Sequence, residues 1–231
     1  MMRTLDVATS HLASVLRLGS GLFVRPGGKR PEQPLVLYEF EACPFCRKVR
    51  EALTILDLDA TIYPCPRGSR YREVVKQKGG KQQFPYLVDP NTGSALYESD
   101  DIVRYLAETY GDGRVPLALA LGPITTGTAA LASLARPGRG RLARPAKEPA
   151  QLLELWSFEA SPFCRLVREA LCELTIPYKL HNVGRGGAAR PAFQEMSGKM
   201  MVPYLVDPNT GVRMFESADI VAYLETTYTE G

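Results

Sequence analysis

The spacing of apolar residues changes several times between residues 35 and 110. Residues 35–40 form a short apolar run typical of a buried strand, and residues 44–56 have helical spacing with a proline in the first turn. Further along, the pattern predicts a strand at 61–63, a helix at 69–79 and a strand at 86–88. A hairpin strand at 95–97 and a last helix from 98 onward follow. The predicted order is βαβαββα.

The same pattern occurs a second time at a fixed offset that pairs Cys43 with Ser161. EACPFCR at 41–47 returns as EASPFCR at 159–165, and ESDDIV at 98–103 returns as ESADIV at 216–221. The block PYLVDPNTG, which begins at Pro85, is repeated letter for letter from Pro203. Three collinear blocks exceed chance, so the sequence predicts an α/β protein with two tandem copies of one βαβαββα domain.

We assign the copies to residues 35–112 and 151–231, which leaves an N-terminal extension at 1–34 and a linker at 113–150. The extension has only two acidic residues against five basic ones, as in the tail of an organelle-targeting peptide. The apolar spacing of Leu12, Val15, Leu16 and Phe23 fits an amphipathic helix docked on the body equally well. Both interpretations stay open at this point.

The linker contains an uncharged stretch at residues 115–135. Its length could in principle cross a bilayer, but prolines and glycines among Ala, Thr and Ser make it weakly apolar, which favours a segment packed between the copies. A basic cluster follows, consisting of Arg136, Arg139, Arg141, Arg144 and Lys147. Contact with a membrane surface through 115–147 and a solvated loop are both compatible with this pattern.

Composition excludes several classes of protein. The chain has 231 residues, which suffices for two domains with their own cores, and it is 45% hydrophobic and 23% charged, as in an ordinary globular protein. A net charge of +3 is too small to indicate nucleic-acid binding, so we expect no nucleic-acid partner. Five cysteines form an odd, clustered set that favours a reducing compartment over a disulfide framework.

The strongest chemical signal is the pair Cys43 and Cys46. A cysteine placed just before a helix lies near unpaired backbone N–H groups and the positive end of the helix dipole, which favour the thiolate. Cys46 follows one turn later on the same face, where it can attack a mixed disulfide formed at Cys43. The pattern indicates dithiol exchange with Cys43 as the attacking thiol and Cys46 as the resolving thiol.

Other interpretations of these cysteines carry less weight. Half of a zinc site would need two more Cys or His ligands, and the remaining candidates are scattered, so we expect no metal site. An inert core pair and an iron–sulfur ligand remain as alternatives. Cys65 is either a third redox thiol or a strand-end residue, and we favour the latter.

The CPFC motif, the Phe-Pro-Tyr block at Pro85 and the Glu98-Ser99 pair resemble a glutaredoxin or the N-terminal domain of glutathione transferases, over residues 35–110 and 152–228. The whole order, with PCPRGS, GGKQQFPYLVDPNTG and a second SPFC copy, resembles a plant and algal chloroplast family of tandem glutathione-transferase N-terminal domains. The resemblance implies two thioredoxin-like domains, glutathione as the cofactor and a chloroplast location.

The resemblance also implies a glutathione site in each copy. Pro85 and Pro203 would be the cis-prolines beside the nucleophile position, and Glu98 with Ser99 would hold the γ-glutamyl end of glutathione. A helix cap is the alternative role of that pair. The full set of implied glutathione-binding residues is Pro44, Phe45, Gln83, Phe84, Pro85, Glu98 and Ser99 in the first copy, and Ser161, Val202, Pro203, Glu216 and Ser217 in the second.

The second copy departs from the first because Ser161 replaces the attacking cysteine while Cys164 remains. Dithiol exchange is excluded there, and the serine resembles that of serine-type glutathione transferases. No helical domain follows residue 231 in this sequence, which argues against a working transferase. We expect a glutathione-linked thiol–disulfide oxidoreductase whose second copy binds glutathione or regulates. The alternative is a non-catalytic scaffold for a protein or membrane partner, followed by a transferase or an iron–sulfur carrier.

Overall fold

The computed structural model describes residues 4–17, 19–25, 28–120, 122–134, 136 and 138–230. An N-terminal helix precedes the first copy and two helices precede the second. In chain order the elements of the first half are α1 (Thr4–Leu16), β1 (Leu35–Glu39), α2 (Pro44–Ile55), β2 (Ala60–Pro64), α3 (Tyr71–Gly79), β3 (Tyr86–Asp89), β4 (Ser94–Leu96) and α4 (Ser99–Tyr110). Those of the second half are α5 (Leu117–Ala120), α6 (Pro123–Leu134), β5 (Leu153–Ser157), α7 (Pro162–Glu173), β6 (Tyr178–Asn182), α8 (Arg190–Ser197), β7 (Tyr204–Asp207), β8 (Val212–Phe215) and α9 (Ser217–Tyr228).

Both copies have the predicted order βαβαββα, so the mixed α/β fold with two tandem thioredoxin-like domains is confirmed. Within the described residues, their strands form one sheet of eight, in the order β4-β3-β1-β2-β6-β5-β7-β8. The central pair of each copy is parallel, and the copies join where β2 meets β6 antiparallel, with Thr61 opposite Lys179. The two domains therefore share a continuous sheet.

Side-chain alternation along the strands divides the interior into two layers. Leu37, Ile62 and Leu87 belong to a large apolar cluster with the helices α2, α4, α7 and α9, and this cluster runs through both copies. On the opposite face, Tyr38 and Tyr86 belong to a separate aromatic cluster beneath α3. A corresponding cluster lies beneath α8 in the second copy. The shared apolar core is therefore continuous across the junction of the copies.

The duplication extends to the helices that precede the copies. LASVLRLGSG at 12–21 matches LASLARPGRG at 131–140, at an offset one residue longer than that of the domains. Helix α1 packs on α7, α6 packs on α2, and α1 and α6 pack on each other. Each leading helix thus lies on the domain of the opposite copy.

The N-terminal helix contacts the body through a different face from the apolar one. Leu12 and Val15 are 51% and 67% exposed, and Phe23 beyond the helix is exposed as well, whereas Ser10 and Ala13 are buried. The surface beneath α1 is polar: Ser10 Oγ donates to the Pro162 carbonyl at 2.7 Å, and Arg165 donates to the Ser10 carbonyl at 2.6 Å. The N-terminal helix does dock on the body, as one of the two interpretations has it, but small residues rather than Leu12 and Val15 face the body.

The uncharged stretch of the linker is largely helical, since α5 and α6 occupy most of it. No helix in the described part of the chain is both long and apolar enough to span a bilayer. The basic cluster is partly engaged inside the protein. Arg136 is buried and donates to Glu169 at 2.9 Å, and Arg144 donates to Glu225 at 2.5 Å. The cluster is therefore not a uniformly free basic surface.

Candidate functional site

Cys43 is the residue that caps the N-terminus of α2. Its backbone is extended, with φ −78° and ψ 120°, and Pro44 occupies the first turn, where its missing N–H costs nothing. The Cys43 Sγ accepts a hydrogen bond from the backbone N–H of Cys46 at 3.3 Å. The side chain is only 5% exposed, while the ring of neighbouring Phe45 is half exposed. The sulfur therefore sits where the helix end stabilises a negative charge.

The two thiols of the motif have opposite acidities. A hydrogen bond from the Cys46 side chain lowers the pKa of Cys43, and the backbone N–H groups of Cys46 and Phe45 lower it further against the effect of burial. Cys46 is fully buried, and burial raises its pKa well above the ordinary value, with the hydrogen bond to Cys43 adding to the rise. This arrangement can support a nucleophilic outer thiolate and a protonated inner thiol.

The first proline of the repeated block lies beside this cap. The Phe84–Pro85 peptide bond is cis. Because Tyr38 of β1 pairs with Tyr86 of β3, Pro85 lies level with the end of β1, from which the chain leads to Cys43. The Phe84 ring meets Phe40 edge-on at 6.1 Å between centroids, and the Arg72 guanidinium lies over Phe84 at 4.8 Å. The structure thus brings Cys43 and the cis-proline to the same edge of the sheet.

Glu98 and Ser99 begin α4 at that same edge. Glu98 has a positive φ of 62°, which is uncommon for a residue with a side chain. Its side chain makes no capping hydrogen bond and instead accepts one from Gln83 Nε2. Ser99 is the first residue of the helix and is 4% exposed. Side-chain capping by Glu98, the alternative role, is therefore not observed.

The second copy repeats this backbone with a different nucleophile atom. Ser161 caps α7, and its Oγ accepts the backbone N–H of Cys164 at 3.2 Å. The Val202–Pro203 bond is cis, and Glu216, just before Ser217, has φ 67°. Cys164 is fully buried behind a hydroxyl, so this copy has the geometry of the first without its thiol pair.

Two buried features escaped the sequence analysis. Glu39, within the apolar run of β1, is almost fully buried, and burial raises its pKa to about 7 against the opposing effect of Arg50. Its carboxylate in turn raises the pKa of both Cys43 and Cys46. The corresponding residue in the second copy is Ser157. A glutamate inside an otherwise apolar strand was the signal in the sequence.

The second feature is a charge network at the junction of the copies. Arg50 Nε donates to Glu159 Oε2 at 2.9 Å, and Arg168 Nε donates to Glu41 Oε2 at 3.2 Å. All four side chains are at most 2% exposed. The signal in the sequence is a glutamate two residues before each nucleophile position and an arginine seven residues after it, in EACPFCRKVR and EASPFCRLVR.

The remaining cysteines lie apart from solvent. Cys65 is fully buried at the end of β2, and burial raises its pKa, as it does that of Cys172. No group of three or more His, Cys, Asp or Glu side chains among the described residues is placed to hold a metal ion.

Comparisons with known proteins found one family that matches both copies. No curated protein matches the chain. One similar solved structure is the Leishmania protein TDR1, described as a unique trimeric glutathione transferase. It shares 14% identity and a TM-score of 0.31, and the match covers 87% of this chain and 68% of that one. The family described as glutathione S-transferase, N-terminal domain, matches residues 37–114 and 155–231. Since these two matches span more than half of the chain, the protein belongs to the glutathione S-transferase N-terminal domain family and contains that domain twice.

Proposed function

We propose that the protein is a glutathione-linked thiol–disulfide oxidoreductase in which Cys43 attacks and Cys46 resolves. The observation that carries this proposal is the hydrogen-bonded thiol pair at the start of α2, with the pKa lowered at Cys43 and raised at Cys46. Membership of the glutathione S-transferase N-terminal domain family supports glutathione as the thiol partner.

The reaction starts from a mixed disulfide between glutathione and a second thiol. The Cys43 thiolate attacks the glutathione sulfur, the disulfide breaks, and the second thiol leaves and takes up a proton. A free glutathione thiolate then attacks the sulfur of glutathione bound to Cys43, which releases oxidised glutathione and restores the Cys43 thiolate. Alternatively Cys46 loses its proton and attacks Cys43, which releases glutathione, and two further glutathione molecules reduce the resulting Cys43–Cys46 disulfide.

The edge of the sheet next to Cys43 supplies the binding groups in this proposal. The backbone of Phe84 before cis-Pro85 offers hydrogen bonds to a peptide-like ligand, and the start of α4 at Ser99 offers N–H groups to a carboxylate. In the second copy, Ser161 and Ser217 would provide the same positions, so that copy binds glutathione or regulates the first without exchanging disulfides.

The test is the glutathione-dependent reduction of a small glutathione mixed disulfide. We expect Cys43→Ser to abolish turnover, whereas Cys46→Ser retains the route through free glutathione. Equal rates for wild type and Cys43→Ser would overturn the proposal. Conjugation of glutathione to an electrophile is measured in parallel: a rate that depends on Ser161 rather than on Cys43 would identify a transferase instead.

The second candidate function is non-catalytic partner binding. Leu12 of α1 and Leu131 of α6 occupy equivalent positions in the repeat, and both are about half exposed. Exposed apolar residues on two packed helices favour a contact surface. Turnover that is absent from the wild type, together with a partner that stays bound to Cys43→Ser, would support this function over exchange.

A further inference from the structure

A segment of the linker packs against the turn of the first copy that leads to Cys43. We call residues 138–143 the linker arm. The Gly140 carbonyl accepts the Ala42 N–H at 3.5 Å, and the arm forms two backbone hydrogen bonds with Arg67, each 2.8 Å long. Residues 19–24 do the same for the second copy, since the Gly21 carbonyl accepts the Ala160 N–H at 3.3 Å.

Gly140 packs closely against Glu41. It has a φ of +64°, and a Cβ added there would lie 2.7 Å from Glu41 Cβ, nearer than real Cβ atoms approach. Gly21 has a φ of +78°, and an added Cβ would lie 3.0 Å from Glu159 Cβ. Each arm therefore requires glycine where it contacts the turn before a nucleophile position, because the backbone has a positive φ and a side chain would be crowded.

The Cys172 thiol of the second copy forms hydrogen bonds with both sides of this contact between Gly140 and Glu41. Cys172 Sγ accepts the Glu41 N–H at 3.4 Å and donates to the Gly140 carbonyl at 3.4 Å. In the second copy, the equivalent residue is Thr54, whose Oγ1 accepts the Glu159 N–H at 3.2 Å. The turn that leads to Cys43 is thus held by the arm on one side and by α7 on the other.

We propose that Gly140 and Cys172 are positioning residues, which hold the turn of residues 41–43 so that the Cys43 sulfur stays aimed at the N–H groups of α2. As a step in catalysis this inference rests on the proposed function, but the state of the thiol can be measured without turnover. A displacement of the turn moves the sulfur away from the Cys46 N–H, from which it accepts a hydrogen bond of 3.3 Å, and so weakens that bond.

The test is the pH profile of Cys43 alkylation by iodoacetamide, followed by peptide mass mapping. Gly140→Ala is compared with Gly138→Ala, since Gly138 lies in the same arm with φ +81° and has nothing within 4 Å of an added Cβ. We expect Gly140→Ala to raise the midpoint by about half a pH unit, which is a roughly threefold loss of thiolate below the midpoint. Gly138→Ala should leave the midpoint unchanged, and equal midpoints in the two variants would overturn the proposal.

A second pair of variants decides the matter if Gly140→Ala does not fold. Cys172→Thr keeps a donor and an acceptor, as Thr54 does in the other copy, whereas Cys172→Val has nearly the same shape without them. We expect a raised midpoint for Cys172→Val and a wild-type midpoint for Cys172→Thr. Identical midpoints in this pair would also overturn the proposal.

The two proposals fail in different ways. If Cys43→Ser retains full turnover while Gly140→Ala shifts the alkylation midpoint, the oxidoreductase is wrong and the positioning role stands. If turnover needs Cys43 but none of the four variants moves the midpoint, the oxidoreductase stands and the positioning role is wrong.

Discussion

Glu159 of the second copy accepts a hydrogen bond of 2.9 Å from Arg50 of the first, in a part of the molecule closed to solvent. Arg168 and Glu41 form the reciprocal pair. Each of these glutamates precedes the nucleophile position of its own copy by two residues. The turns that lead to the two candidate sites are therefore joined by one buried charge network.

Glu159→Gln should destabilise the protein by about 3 to 5 kcal/mol, because it removes a buried negative charge that the guanidinium groups of Arg47, Arg50 and Arg168 share. Burial alone would raise the pKa of Glu159, but Arg168 and Arg50 lower it to about 2. Its stabilisation is therefore present above the ordinary carboxyl pKa and is lost as the pH falls towards 2. Urea unfolding at several pH values measures the difference between wild type and variant.

The control for this measurement is Asp101→Asn. Asp101 pairs with Arg104 at 3.0 Å on the surface, with both side chains more than half exposed. Solvent screens such a pair, so we expect a change below about 0.5 kcal/mol. A Glu159→Gln variant as stable as Asp101→Asn would contradict the buried network.

Glu39→Gln should lower the pKa of the Cys43 thiol, since the Glu39 carboxylate raises it. The pKa of Glu39 is about 7, so its charge is present above that pH and lost below it. The variant should therefore alkylate Cys43 faster than wild type above pH 7, with a difference that shrinks on acidification. Glu108→Gln, on the exposed side of α4, serves as the control and should leave the rate unchanged.

The parts of the fold that local patterns govern could be predicted from the sequence. Apolar spacing placed β1 and α2, and the proline after Cys43 indicated the helix start that makes this cysteine a cap. The repeated blocks placed Pro85 and Ser99 in both copies without any knowledge of tertiary contacts.

Features that depend on tertiary partners could not be predicted in this way. The pairing of β2 with β6, with Thr61 opposite Lys179, has no sequence signature, because edge strands carry no mark of their neighbour. The buried face of α1 is small and polar because it packs on backbone carbonyls and on the Arg165 guanidinium. The two arms belong to a repeat in the sequence, but its offset is one residue longer than that of the domains, so a search at the domain offset does not align them.

Ser161→Cys should give the second copy a reactive thiol pair. The Ser161 Oγ already accepts the Cys164 N–H at 3.2 Å, the same contact that the Cys43 sulfur makes with Cys46 at 3.3 Å. We expect the variant to form one additional disulfide on mild oxidation, detected by mass spectrometry of the peptide that contains Cys164. Cys43→Ser is the converse control and should lose the disulfide of the first copy. No new disulfide in Ser161→Cys would mean that the copies differ in more than this atom.

Lys48 and Asp100 form a pair that the second copy lacks, since Leu166 and Ala218 stand at the equivalent positions. The Lys48 side chain is fully buried and donates to Asp100 and, at 3.4 Å, to Thr126 of α6. Asp100→Ala should lower the free energy of unfolding by about 1 to 2 kcal/mol. The loss is smaller than for a fully buried pair because the Asp100 carboxylate is exposed to solvent. Adding Lys48→Leu should recover part of this loss, because no buried ammonium remains. Purely additive losses in chemical unfolding would argue against a coupled pair.

His181 links the copies through a contact that pH controls. Its Nδ1 lies 3.1 Å from Asp59 in the first copy and its Nε2 lies 3.0 Å from Glu154, so both nitrogens donate only when the ring is protonated. Burial lowers its pKa, but Asp59 and Glu154 outweigh burial and raise it. Lys179 also faces Glu154, at 3.7 Å. The stabilisation is present below the ordinary histidine pKa and is lost as the pH rises through the raised value.

Trp156 reports this titration because it is the only tryptophan and its ring stacks on His181 at 4.4 Å between centroids. Protonated histidine quenches an adjacent indole, so we expect its fluorescence to rise with pH, with a midpoint above 6.5. His181→Gln should remove the transition. His11, the other histidine, lies against Phe163, so His11→Gln should leave the transition in place. A transition that persists in His181→Gln would show that another group is responsible, and that the contact between Asp59 and His181 does not titrate in this range.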